Sequence, residues 1–242
     1  MKIKTCFIVF LALILSSCGV VVPEPTATIT ATPQPTNTLP PTSTPTKTPL
    51  PTATPNIAAT QQYEDFYVWL EKFSNEGIIP SVNGTYRSYK DISQSLAQQA
   101  YFTWELQNSF VSTNFIAQAK VTIANATNEN IFKSGCGFVF EEFFATHAVF
   151  FSLDGNANYR TDGRDRGSKY LDSTLFENPE GVTLTLVLYN KALLFYVNDR
   201  LALSQIVIYG ENFKVGPSTL SGTSEGFGTR CDFTNIVLWK ID

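Results

Sequence analysis

Val182-Thr-Leu-Thr-Leu-Val-Leu-Tyr189 decides the fold. Val182, Leu184, Leu186 and Leu188 alternate with Thr183, Thr185, Val187 and Tyr189, so one face of an extended strand is wholly apolar and the other mixed. A period of two with one apolar face is what a strand buried between two packed sheets requires. Runs of the same β-rich kind extend on both sides, at roughly 84–92, 100–107, 113–124, 135–142, 146–154, 157–161, 192–198, 200–208 and 230–241. Asp154-Gly155 and Asn198-Asp199 fall between consecutive runs and supply residues that tolerate positive φ in tight hairpins. Ahead of the strands, Tyr63, Phe66, Tyr67, Leu70 and Phe73 carry the i, i+3, i+4, i+7 spacing of an amphipathic helix over Gln61–Phe73, ended by Gly77. The fold expected is all-β, a sandwich preceded by one short helix.

The N-terminal quarter is built differently. Lys2 and Lys4 precede an apolar run from Cys6 to Leu15 that has the length of a signal sequence and is too short to span a bilayer. It ends in Leu15-Ser-Ser-Cys18-Gly19, which resembles the bacterial lipobox. The resemblance implies cleavage before Cys18 and attachment of diacylglycerol to its thiol. Two acyl chains give stable anchoring where one binds marginally. Ten of the 13 prolines then fall between Pro23 and Pro55, in Pro-Thr units with almost nothing apolar to bury. Such a stretch stays extended, at about 3.1 Å per residue, and its 33 residues reach roughly 100 Å. The expected division is a signal peptide at 1–17, a Pro/Thr-rich disordered stalk at 18–60 and one folded domain at 61–242. The protein is then expected at the cell surface, held by lipid to the cell membrane or an outer membrane.

Composition narrows the function. Charged residues make up 16% of the chain and the net charge is −4, so no broad basic surface exists for nucleic acid. Aromatic residues total 32, of which only Phe7 and Phe10 belong to the signal, so most rings are expected in the core.

Ser134-Gly-Cys-Gly-Phe-Val-Phe140, the His147–Gly155 hairpin, Leu194-Phe-Tyr-Val-Asn198 and Gly228-Thr-Arg-Cys-Asp-Phe-Thr-Asn-Ile-Val-Leu-Trp239, in that order, resemble the concanavalin A-like (laminin-G-like) jelly roll of bacterial surface lipoproteins. The likeness covers about residues 84–242 and implies a jelly-roll sandwich that binds glycans or other envelope or extracellular polymers. The family's hairpin more often carries Asn-Gly where this chain has Asn198-Asp199.

Cys136 and Cys231 are the two thiols left in the mature domain, and an even count in an exported chain favours a bridge. Strand alternation puts Cys136 on a face with Phe138 and Phe140, and Cys231 on one with Phe233, Val237 and Trp239. Jelly-roll glucanases of the same superfamily use acids at Glu-x-Asp-x-x-Glu spacing on one strand face; none of the 21 acids here has another at i+2 or i+4. Glu141 and Glu142 are neighbours and point to opposite faces. His147, the only histidine, shares a face with Val149, Phe151 and Leu153 and reads as structural. No catalytic residue is assigned. Alternatives that stay open are a polysaccharide-degrading hydrolase whose carboxylates converge from different strands, and a structural surface protein without a small ligand.

No cofactor is expected, although Asp154, Asn156, Asn158 and Asp162 have the 1, 3, 5, 9 spacing of a calcium loop. Tyr159 stands where that loop needs glycine and Asp165 where it needs a bidentate glutamate, so the segment reads better as a hairpin. If the domain binds a glycan, the stretch Tyr159-Arg-Thr-Asp-Gly-Arg-Asp-Arg-Gly-Ser-Lys-Tyr170 is the candidate. Tyr159 and Tyr170 offer rings, and Arg160, Asp162, Arg164 and Asp165 offer fixed polar groups, in a chain otherwise poor in charge.

Overall fold

The computed structural model describes residues 57–143, 145–208 and 210–242. The signal peptide, Cys18 and the stalk as far as residue 56 lie outside the described residues.

Helix α1 spans Ile57–Asn75, starting four residues before the predicted span. Gly77, at φ 69°, ends it. There the Gly77 N–H donates to the Ser74 carbonyl and the Ile78 N–H to the Phe73 carbonyl, the paired bonds of a Schellman cap that only a left-handed residue closes easily.

Fourteen strands follow: β1 Gly84–Ser88, β2 Ile92–Leu96, β3 Tyr101–Trp104, β4 Val111–Ser112, β5 Phe115–Asn125, β6 Gly135–Glu142, β7 Ala145–Ser152, β8 Asn156–Thr161, β9 Arg164–Tyr170, β10 Val182–Tyr189, β11 Ala192–Val197, β12 Arg200–Ile206, β13 Phe213–Ser221 and β14 Thr229–Ile241. They form two antiparallel sheets. Sheet A runs β1-β14-β5-β10-β11-β12, with β2 also on β14; sheet B runs β3-β13-β6-β7-β8-β9, with β4 also on β13. The chain passes between the sheets repeatedly, the interleaving of a jelly-roll sandwich, and the expected fold class is observed.

Alternation sorts the apolar residues into three layers. Phe115, Ala117, Ala119, Leu184, Leu186, Phe195 and Phe233 of sheet A meet Phe138, Phe140, Val149 and Phe151 of sheet B in the central core. On the outer side of sheet A, Phe66, Leu70 and Phe73 of α1 pack over Ile116, Val187, Tyr196, Val237 and Trp239. The outer side of sheet B carries a smaller cluster of Val139, Ala148, Phe150 and Leu220, with Phe102, Trp104 and Leu106 against it.

Cys136 on β6 and Cys231 on β14 are joined by a disulfide across the core, with Cα atoms 5.8 Å apart. The phase expected for β14 holds only for its first half. A register shift between Thr234 and Val237, with Asn235 at φ 53°, inserts a bulge. Beyond it Ile236 and Leu238 face the core while Val237 and Trp239 face α1, so Val237 and Trp239 do not share the Cys231 face.

Strand β13 has no counterpart among the sequence-predicted runs, although it lies inside sheet B. Its Gly216-Pro217 reads as a break. Pro217 is accommodated because its N side faces the interval between β3 and β4, where its carbonyl accepts the Glu105 N–H at 3.1 Å. At Asn198-Asp199 only Asn198 takes positive φ, at 55°, so Asp199 is tolerated without glycine.

Candidate functional site

The stretch 159–170 is a hairpin of β8 and β9, joined by Asp162 at φ 50° and Gly163 at φ 74°. Sheet B ends on it, so its two faces lead to different surroundings.

Asn158 and Arg160 point outward, continuing the face that carries Phe150 and Ala148 one strand away. Arg160 Nε donates to Asp165 Oδ1 at 2.7 Å, and the Arg160 side chain is only 16% exposed against 73% for Asp165. The guanidinium therefore lies along the sheet with its carboxylate partner towards solvent. Asn158 Nδ2 donates to Ser152 Oγ at 3.0 Å. At the other end of this face, Phe102 and Trp104 of β3 lie with ring centroids 5.2 Å apart, and Phe102 meets Phe150 edge-on at 5.6 Å. Both leading rings are half-buried, and Tyr101 beside them is exposed. The outer face of sheet B thus presents a half-buried ring pair at one end, packed on a wholly buried apolar cluster, and an amide, a guanidinium and a carboxylate at the other.

Tyr159 turns the opposite way and is buried. Its hydroxyl lies 2.9 Å from His147 Nδ1 and 3.2 Å from Thr161 Oγ1, which is itself 3.2 Å from the same nitrogen. The His147 ring is stacked on Phe140 at 4.9 Å. Burial pushes the Tyr159 phenol pKa above its ordinary value, against the opposing pull of the Thr161 hydrogen bond and the Arg166 charge. His147 Nδ1, the atom that would meet the carboxylate of a Ser-His-Asp arrangement, is held by hydroxyls instead. With Arg166, Gln205, Ile206 and Ile208, these three residues line an open cleft of about 450 Å³ between the hairpin and β12.

The six candidate ligand-binding residues therefore do not form one site. Arg160 and Asp165 are paired on the outer face, and exposed Tyr170 shares that face opposite Asn156. Tyr159 belongs to the cleft. Asp162 is in the turn, where its Oδ1 accepts the Thr146 N–H at 3.0 Å, and Arg164 is exposed beside it. A strand that alternates at every residue cannot put neighbours on one surface. Phe102 and Trp104 were missed as site residues, although their i, i+2 spacing signals a shared face; Arg166, Gln205 and Ile208 carry no local signal of their meeting.

The calcium spacing is not a loop in three dimensions. Asp154 accepts from Asn156 at 3.1 Å (backbone) and 2.7 Å (side chain), while Asp162 lies at the far end of β8, about 20 Å on at some 3.3 Å per residue. Among the described residues no group of three His, Cys, Asp or Glu side chains is placed to hold a metal. A third feature is a groove of about 690 Å³ at the β6–β7 turn, lined by Glu141, Glu142, Thr146, Glu211, Asn212 and Lys214; Glu142 Oε2 accepts the Glu211 N–H at 2.8 Å.

No family model matches the chain, and no curated protein matches it. Solved structures similar in fold include protein CB05 of A. japonicus, 17% identical over 65% of this chain and 26% of its own, at TM-score 0.45; this chain spans about a quarter of that protein. A carbohydrate binding module from Bacillus subtilis, CBM66, is 11% identical over 64% of this chain and 95% of its own, at TM-score 0.45. A Bacillus licheniformis β-glucanase is 12% identical over 54% of this chain and 68% of its own, at TM-score 0.39.

Proposed function

We propose that this protein is a lipid-anchored surface lipoprotein whose β-sandwich binds glycan chains on the outer face of sheet B. The anchor would be Cys18 and the spacer the Pro/Thr stalk. The observation that carries the binding reading is the composition of that face: Phe102 and Trp104 lie half-exposed, packed on the buried Val139, Ala148 and Phe150, and across from Asn158 and the Arg160–Asp165 pair. A pyranose presents an apolar C–H face and a rim of hydroxyls, and rings with fixed donors and acceptors are complementary to both. The full-length chain in detergent, screened on a glycan array, should bind a polysaccharide fragment. Trp104→Ala and Arg160→Ala, each checked for folding by circular dichroism, should weaken that binding about tenfold or more, the equivalent of roughly 1.4 kcal/mol. A silent array, or a hit that neither variant affects, sinks the proposal.

A second reading, a polysaccharide hydrolase, is favoured by the groove that gathers Glu141, Glu142 and Glu211 from two segments. Reducing-end release from any array hit, abolished by Glu141→Gln or Glu211→Gln, would select it.

A further inference from the structure

We propose that the cleft between the β8–β9 hairpin and β12 is a second site, separate from the outer face, that takes an oxyanion: the carboxylate of a uronic acid or a sulfate ester on a sugar. Its size, about 450 Å³, suits one sugar ring.

Its lining is unbalanced in a way that names the ligand. The described lining residues include a guanidinium (Arg166), an amide (Gln205) and two hydroxyls (Tyr159, Thr161), and no carboxylate. Arg160, Arg200 and Arg230 each face an acid within 4 Å, at 2.7, 3.9 and 3.6 Å, whereas Arg166, like Arg87 and Arg164, stands in no such ion pair among the described residues, and of these three it is the one that lines the cleft. A planar fork of donors with no acid partner, set beside the Gln205 amide, matches a carboxylate or sulfate.

The lining is also held in place. The Tyr159 and Thr161 hydroxyls are tied to each other and to His147 by contacts of 2.9–3.2 Å, with the Thr161 proton donated to the Tyr159 oxygen, so they form a fixed polar wall and leave Arg166 and Gln205 as the donors. Gln205 occupies the space left by the missing side chain of Gly167, where an added Cβ would come within 2.6 Å of its Nε2. In the same lining, Ile206 is 73% and Ile208 67% exposed. Two branched aliphatic side chains left in water beside fixed donors fit the C–H face of a sugar that carries the anion.

The Gly167 contact supplies a selective variant. Its φ is not in the left-handed region, and the clashing atom is the end of a flexible side chain, so Gly167→Ala should displace the Gln205 amide at little cost to folding. Full-length chain in detergent is titrated calorimetrically with tetragalacturonate, its methyl ester, and a sulfated and an unsulfated neutral tetrasaccharide. Either the uronate or the sulfated probe should bind, and removing its charge should weaken it about tenfold or more; which probe binds identifies the source of the oxyanion. Arg166→Gln and Gly167→Ala should each lower that affinity by a similar factor, while Trp104→Ala should leave it within about twofold. The inference is overturned if neither anionic probe binds at millimolar concentration, if charged and uncharged forms bind alike, or if Arg166→Gln and Gly167→Ala both leave binding unchanged. Anion binding lost in Trp104→Ala but kept in Arg166→Gln overturns the cleft and leaves the outer-face reading standing. Anion binding that follows Arg166, with no glycan response to Trp104→Ala, does the reverse.

Discussion

Replacing both Cys136 and Cys231 with alanine should destabilise the domain by about 3–5 kcal/mol. The two positions are 95 residues apart in sequence, and both side chains are wholly buried between the sheets. On the chain-entropy model a closed loop of about this length is worth close to 4.7 kcal/mol, and native bridges removed from exported domains cost about 2–5 kcal/mol. The lower part of that range is reached if neighbouring contacts keep the sheets together, and one such contact exists. Gln94 lies opposite Cys231 on β2, and Thr219 lies opposite Cys136 on β13. The Thr219 hydroxyl donates to Gln94 Oε1 at 3.2 Å, so a hydrogen bond crosses the core beside the sulfurs.

The assay is urea denaturation of the oxidised wild-type chain and the double alanine variant. Because the bridge acts on the unfolded chain, its removal should lower the midpoint and also steepen the slope, as the unfolded ensemble expands. For a domain of this size the loss corresponds to a fall in Tm of roughly 10 °C. Gln94→Leu, which strands the buried Thr219 hydroxyl, should cost about 1–3 kcal/mol alone and more than additively without the disulfide. A loss below about 1 kcal/mol with an unchanged slope would refute the reasoning, because it would mean that the bridge constrains nothing the fold does not already constrain.

Two shorter expectations concern a turn and the anchor. The β10–β11 hairpin turns on Asn190 at φ 48° and Lys191 at φ 68°; left-handed conformation costs a residue with a side chain about 1–2 kcal/mol, part of which glycine recovers. Lys191→Gly should therefore raise stability by up to about 1 kcal/mol in thermal denaturation, and a fall would show that Lys191 is held there by a contact worth more than the strain. Cys18→Ala should move the protein from the membrane fraction to the soluble fraction; retention on the membrane would sink the proposed lipid attachment.

Much of the sandwich was legible because most of its strands carry their own alternation. Val182–Tyr189 needs no knowledge of its neighbours to be read as a strand with one core face. β13 failed because Gly216-Pro217 is a breaker unless the adjacent strand happens to be interrupted at that row, and no local pattern reveals the interruption. The Asn235 bulge was equally hidden: it shifts the phase of Val237 and Trp239 by one residue, and only the helix packed on the other side shows that both remain buried. The candidate sites divide in the same way. Arg160 and Asp165 lie five residues apart and were found together, whereas the cleft unites positions 147, 159, 166 and 205 through sheet pairing and sandwich closure. A sequence records the residues of such a cleft without recording that they meet.

The helix seals one outer face of the sandwich. A two-sheet sandwich has two outer faces, and in this chain both carry apolar residues on alternating positions. On sheet A those residues are sealed: Phe66, Leu70 and Phe73 of α1 lie on Ile116, Val187, Tyr196 and Val237, with Phe66 6.2 Å from the Trp239 ring and Phe73 5.3 Å from that of Tyr196. Without α1 these side chains would form a contiguous exposed apolar patch, which drives association in water. Among the described residues no helix of this kind lies over sheet B. Val139, Ala148, Phe150 and Leu220 are buried there with Phe102, Trp104 and Leu106 packed against them, and Phe102 and Trp104 stay half in solvent on the face that also carries polar groups of β8 and β9.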